Sequence, residues 1–223
     1  NLSTGSHAGG SRSDQALEPT VASPDNLDTW FATGNWYAAF STTGGLSWTY
    51  RNPYTYFPAL AGGFCCDQFA VSRGGATFWY LQYSKNNAGN AVRIAVSPNV
   101  TSLRSGTFFP ISVFFTAQDF GFPNGAWLDF PDLATTSTYV YATSNVFDQN
   151  SNNLGRTIWR VRIADLVTGL PAAPFDYYAD SVGQGWRLTH GAQDTMYWAY
   201  TPYLNAVQVY KWADSAPARV VIP

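Results

Sequence analysis

Four stretches of this sequence repeat one plan, and the repeat limits what the chain can fold into more than any other feature. Each stretch opens with a short segment: 18–23 (EPTVAS), 67–72 (DQFAVS), 131–136 (PDLATT) and 186–190 (WRLTH). Turn-forming residues follow at 24–28, 73–76, 137–138 and 191–194. An aromatic segment comes next, at 29–32, 77–83, 139–143 and 195–200. A third segment with strand character lies at 36–41, 92–97, 158–163 and 207–212, and a fourth at 47–51, 112–116, 175–179 and 219–222. Gly, Pro, Asn and Asp between runs of β-branched and aromatic residues mark the ends of strands. A four-stranded unit recurring about every 50 residues predicts an all-β fold, a β-propeller of four-stranded antiparallel blades. About four blades are visible, either a whole ring or part of a larger one.

The strands carry a second prediction. Side chains alternate between the two faces of a strand. Phe78, Tyr80 and Gln82 then share one face, and Trp79, Leu81 and Tyr83 the other. Both faces are bulky and mostly apolar, as expected of a sheet covered on both sides. Helix signals are sparse. Residues 164–168 (ADLVT), closed by Gly169 and Pro171, predict a single turn. Residues 1–15 are rich in Gly and Ser and read as a flexible leader, which leaves 16–223 as the propeller domain.

Composition narrows the function classes. Hydrophobic residues make up 46% of the chain, enough to fill a core. The net charge is −2, and lysine occurs only at Lys85 and Lys211, so no basic face exists to hold nucleic acid or an anionic membrane. No apolar run has the length of a membrane span, so no membrane insertion is expected. Sequons at Asn1 and Asn99 fit a secreted, extracellular protein.

In a propeller, the starts of the innermost strands converge near the axis. The polar residues there are Glu18, Asp67 with Gln68, Asp129 with Asp132, and Arg187 with His190, with Trp127 and Trp186 just ahead of two strands. That set suits a glycan. Glu18, Asp67 and Asp129 supply carboxylates for acid, base or nucleophile roles. His190 is a further proton donor. Gln68, Asp132 and Arg187 are placed to fix hydroxyl or acidic groups, and Trp127 and Trp186 to stack on sugar rings. The blander reading gives the carboxylates to backbone hydrogen bonds and the tryptophans to packing between blades.

Asp67, Asp129 and Asp132 have a further use as oxygen ligands for Ca²⁺. The segment 148–153 is also oxygen-rich, but it lacks the central glycine and closing glutamate of an EF-hand loop. Cys65 and Cys66 are adjacent and directly precede Asp67. They form either a vicinal disulfide, a stiff apolar platform beside the site, or two reduced thiols in the inner wall. The chain has no Gly-x-Ser-x-Gly elbow, phosphate loop or dinucleotide fingerprint.

Residues 41–48, STTGGLSW, resemble the Asp-box (S-x-D-x-G-x-x-W) of the sialidase-like, BNR-repeat propellers: Ser41, Gly45 and Trp48 match, and Thr43 stands in the aspartate's place. The resemblance implies a tight hairpin between the third and fourth strands of a blade, on the face opposite the site. It covers one unit of four. The Phe/Tyr-Arg-Ile-Pro motif of true sialidases is missing, Arg93-Ile94-Ala95 being the nearest string, and Arg187 is the sole arginine on an inner strand. The resemblance therefore implies a fold and not sialidase activity. Together these readings predict a secreted propeller that recognises carbohydrate at its axial face, as a glycoside hydrolase or polysaccharide lyase. The alternative is a non-catalytic adhesion or scaffold propeller that binds a protein partner.

Overall fold

The computed structural model describes residues 18–60, 62–110, 112–203 and 205–217. The leader, the Asn1 sequon and the strand expected at 219–222 lie outside the described residues. Four antiparallel sheets follow one another along the chain, each a meander of consecutive strands. The first holds β1 (Thr20–Ala22), β2 (Trp30–Gly34), β3 (Tyr37–Ser41) and β4 (Thr49–Arg51). The second holds β5 (Phe64–Arg73), β6 (Ala76–Tyr83), β7 (Ala91–Ser97) and β8 (Val113–Thr116), with helix α1 (Val100–Arg104) between its last two strands. The third holds β9 (Trp127–Thr135), β10 (Tyr139–Phe147), β11 (Asn153–Arg162) and β12 (Phe175–Asp180), with the single turn α2 (Ile163–Leu166). The fourth has three strands among the described residues: β13 (Arg187–Leu188), β14 (Thr195–Tyr203) and β15 (Ala206–Ala213).

Alternation along the strands builds the cores. Phe78 and Tyr80 of β6 enter one core with Leu133, Val140 and Trp159 of the third sheet. Trp79, Leu81 and Tyr83, one position out of phase, enter another with Phe31, Ala38 and Phe40 of the first. Every residue of β6 is buried, because the strand is covered from both sides. A third core joins Tyr141 and Ile158 to Trp198, Tyr210 and Trp212, packing the fourth sheet on the third. In β14, Met196 and Trp198 are buried while Tyr197 between them is 44% exposed, so the fourth sheet is covered on one face.

The inner strands are tied together by specific bonds. Thr20 Oγ1 accepts the Ala70 N–H at 2.9 Å, joining β1 to β5. Arg73, just inside the end of β5, donates to Ser137 Oγ at 2.7 Å and Gln193 Oε1 at 2.6 Å, holding the turns of the next two sheets. Between the third and fourth sheets Arg160 is buried, with its guanidinium carbon 4.2 Å from the Tyr139 ring centre and 4.3 Å from that of Trp212. It is paired with Asp176 and donates to the Ala213 and Ala216 carbonyls, which satisfies a charge that burial alone would make costly.

Candidate functional site

Two of the inner strands are irregular at the same end, and the irregularities place the chemistry. In β5, Phe64 pairs with Tyr83 and Gln68 with Leu81, so residues 65–67 stand opposite Gln82 alone. In β9, Asp129 pairs with Asn145 and Asp132 with Thr143, so Phe130 and Pro131 stand opposite Ser144. Extra residues in one strand form a bulge, which bends the strand and re-aims its side chains. Phe130 takes up the kink in a left-handed conformation, φ 55°, which is unusual for a bulky residue and more so before proline. Glu18, ahead of β1, also has φ 55°. Cys65 and Cys66 are joined as a disulfide within the first bulge, immediately before Asp67.

Glu18, Asp67 and Asp129 come together at this end, each from a different sheet. Burial pushes the Asp67 carboxyl up to about 7, and the negative charges of Glu18 and Asp129 push in the same direction. The Phe130 amide and the Arg187 guanidinium oppose that rise without cancelling it. Asp67 Oδ1 accepts from Asn35 Nδ2 at 3.3 Å, and Asp129 Oδ1 from Gln82 Nε2 at 3.0 Å. Arg187 leans on the Phe130 ring, 3.9 Å from its centre, and donates to the Pro131 carbonyl at 3.0 Å. Phe130 is 37% exposed, so its ring is part of the surface beside the carboxylates. A cavity of about 430 Å³ opens along the inner strands, with Glu18, Phe69, Pro131 and Arg187 in its wall.

The other expected site residues are placed differently. Gln68 is buried: its amide donates to the Gly34 and Tyr37 carbonyls and accepts from the Trp79 indole, so it fastens the first sheet to the second and has nothing left for a ligand. Trp186 is 2% exposed, packed against Tyr178, Trp198 and Tyr210 and under the Arg156 guanidinium; no face remains for a sugar. Trp127 donates its indole N–H to the Asp148 carbonyl at 2.7 Å and stacks between Phe147 and the Lys85 ammonium, at the outer loop. Asp132 accepts the Leu133 and Leu188 amides and so staples β13 to β9.

His190 lies past the end of β13, not at its start. Its ring is parallel to Phe69, with centroids 6.1 Å apart, and its Nε2 is 3.9 Å from Asp132. The cavity adjoins, at this pair, a second space of about 430 Å³, bordered by Val21, Val71, Arg73 and Thr135. His190 therefore borders both cavities and shares the first with Glu18.

Among the described residues, no three His, Cys, Asp or Glu side chains are grouped so as to hold a metal ion. Asp132 is turned to backbone amides, and Asp148 is occupied by Asn150 and Asn152 within its own loop. No helix of the described residues is long and apolar enough to cross a membrane. Asn99 caps α1, its side chain accepting the Ser102 amide, in an exposed loop.

Three participants could not be picked from the list of strand-opening residues: Asn35 comes from the β2–β3 turn, Gln82 from the end of β6, and Phe130 from the β9 bulge. Of the two expected states of Cys65 and Cys66, the structure has the vicinal disulfide. One signal for the β9 bulge was present. Leu128 and Leu133 both face the same core although they are five residues apart, which unbroken alternation forbids.

The hairpin at 41–48 is closed by its own side chains. Ser41 Oγ accepts the Thr43 and Gly45 amides, Thr43 Oγ1 accepts the Ser47 amide at 2.9 Å, and the Trp48 indole donates to the Gly45 carbonyl. Gly44 and Gly45 supply the left-handed turn, with φ 63° and 87°. No known family model matches the chain, and no curated protein is significantly similar to it.

Proposed function

We propose that the four sheets are blades of a β-propeller, related to the sialidase-like propellers, that binds carbohydrate at the axial face and cleaves glycosidic bonds there. The observation that carries this reading is Asp67: a carboxyl shifted to about 7 and grouped with Asp129 and with Glu18, which stands in the wall of a cavity. Carboxylates whose environments push their proton affinities apart are what glycoside cleavage uses, one protonated to donate to the leaving oxygen and one ionised to serve as base or nucleophile. Asp67 takes the acid role, and Asp129 or Glu18 the ionised role. The exposed Phe130 ring, backed by Arg187, offers an apolar face to a sugar. Meander sheets stacked in chain order, inner strands lining a common cavity and the Asp-box-like hairpin support the propeller. A disulfide favours a secreted protein.

The test is turnover on a panel of neutral and acidic polysaccharides, with Asp67→Asn, Asp129→Asn and Glu18→Gln beside the wild type. Loss of a general acid is expected to lower kcat by about 10²-fold or more. Unsaturated products would move the reading from hydrolase to lyase. A scaffold reading draws on one observation, the apolar outer face of the fourth sheet, where Tyr197, Val207 and Val209 are exposed. Absence of glycan binding and turnover, with a protein partner captured equally by wild type and Asp67→Asn, would favour it.

A further inference from the structure

Asp67 is held by few direct bonds. Among the described residues its side-chain donor is Asn35, at 3.3 Å, and the Phe130 amide acts on it across the gap to β9. The backbone that carries it is the weakest part of β5. Residues 65–67 face a single partner, Gln82, and the ladder resumes only at Gln68. Three consecutive residues without their own ladder partners have a choice of paths, and each path puts the Asp67 carboxyl in a different place. Two of the three are Cys65 and Cys66, whose sulfurs are bonded to one another. Closing a ring through adjacent residues removes backbone freedom where the sheet supplies no constraint.

We propose that the Cys65–Cys66 disulfide is a positioning device: it fixes the bulge of β5 so that Asp67 stays half-buried beside Glu18, Asp129 and Arg187, and opening it exposes Asp67 further to water. The proposal rests on Asp67 being the working group of the site, and it does not depend on which ligand binds. The charged groups facing Asp67 are Glu18 ahead of β1, Asp129 on β9 and Arg187 on β13, with the Tyr80 hydroxyl buried nearby on β6. None of them belongs to the bulge, so opening the ring changes the position of Asp67 and not the identity of its surroundings. The chemistry is simple. A small dithiol reduces the ring: the S–S bond breaks, two electrons and two protons reach the two Sγ atoms, and the dithiol leaves as its cyclic disulfide. An oxidant of the disulfide class reverses the step. In the released state Asp67 loses the desolvation that is the largest cause of its raised proton affinity.

The experiment reads Asp67 itself. In the full chain labelled with ¹³C at aspartate carboxyls, the Asp67 resonance is assigned by its loss in Asp67→Asn and titrated in three states: oxidised, reduced by a dithiol with both thiols verified by alkylation and mass, and Cys65→Ser/Cys66→Ser. The oxidised protein is expected to titrate near 7. The other two are expected to titrate lower by about one unit or more, with the amide spectrum of β10 and β11 unchanged. An unmoved Asp67 titration in a fully reduced protein would overturn the proposal. So would loss of the whole folded spectrum on reduction and in the double variant, since the ring would then be a global staple. A shift on ring opening with no sugar turnover in any state would keep the positioning role and remove the glycosidase reading; turnover without a shift would do the reverse.

Discussion

Asp67 and Asp132 are both aspartates on the packed strands β5 and β9, and burial raises the proton affinity of both. Their surroundings nevertheless give them opposite work. Asp132 is 4% exposed and both its oxygens are engaged by backbone, Oδ1 by the Leu133 amide at 2.9 Å and Oδ2 by the Leu188 amide at 2.8 Å. Among the described residues Asp67 accepts from the Asn35 side chain at 3.3 Å and from the Phe130 amide; it is half-buried and has two carboxylates for neighbours. A carboxyl saturated by amides holds strands together. A carboxyl with spare lone pairs and like charges beside it is free to exchange a proton. Exposure and like-charged neighbours, not residue type or position along the strand, separate the structural aspartate from the chemical one.

The largest effect that would break this contrast is on folding. Asp132→Ala leaves the Leu188 amide buried without an acceptor and cuts the staple between β9 and β13, so a loss of about 2–3 kcal/mol is expected. Asp132→Asn keeps an acceptor and should lose less. Urea or thermal unfolding measures both, and an Asp132→Ala protein as stable as wild type would reverse the assignment of the two residues. Any fall in turnover in the Asp132 variants should follow the fraction folded.

The next effect is a pH dependence of opposite sign to the usual one for a paired carboxylate. Asp67 binds its proton more tightly in the folded chain than unfolded, about 7 against 3.8. Its contribution therefore favours folding most below the unfolded value and is lost as pH rises toward and through the folded value. Asp67→Asn, which stays neutral, should abolish that decline and be more stable than wild type above pH 7, on the order of 2 kcal/mol after allowance for water reaching the site. Unfolding curves between pH 4 and 8 decide it. A wild type whose stability rises with pH in that window, with Asp67→Asn the flatter, would mean that Asp67 is an ionised, satisfied group like an ordinary surface aspartate.

Much of the fold was legible because its grammar is local. Turn residues at fixed offsets and doubly apolar aromatic strands placed the second and third strands of each sheet, closely in 77–83 against Ala76–Tyr83, but 139–143 stops four residues short of the end of Tyr139–Phe147 and 158–163 misses the first five residues of Asn153–Arg162. Helix α1 was not legible. Val100, Thr101 and Ser102 are poor helix formers, and Asn99, its cap, also opens a sequon. Convergence of Glu18, Asp67 and Asp129 followed from topology alone. The roles of Gln68 and Trp186 did not, because which face a residue turns to depends on what the adjacent sheet offers it. The β5 bulge was silent for a geometric reason: two extra residues preserve the alternation, so Phe64 and Ala70 still face one core. A single extra residue, as in β9, breaks it and leaves a trace.

The smallest effect concerns His190, the remaining partner of Asp132. Its side chain is 59% exposed and lies 3.9 Å from a carboxylate already held by two amides. A pair so placed adds little to stability, and His190→Ala should cost no more than about 0.5 kcal/mol. The ring does lie parallel to Phe69 where the two cavities meet, so its removal should widen the passage between them. On the present assignment, turnover and the Asp67 titration should both be unchanged in His190→Ala, while longer saccharides should bind at least as well. A kcat loss comparable with that of Asp67→Asn would instead show that the proton enters from the far side of the axis. The working pair would then be His190 and Asp132, and the contrast between the two aspartates would have to be drawn the other way round.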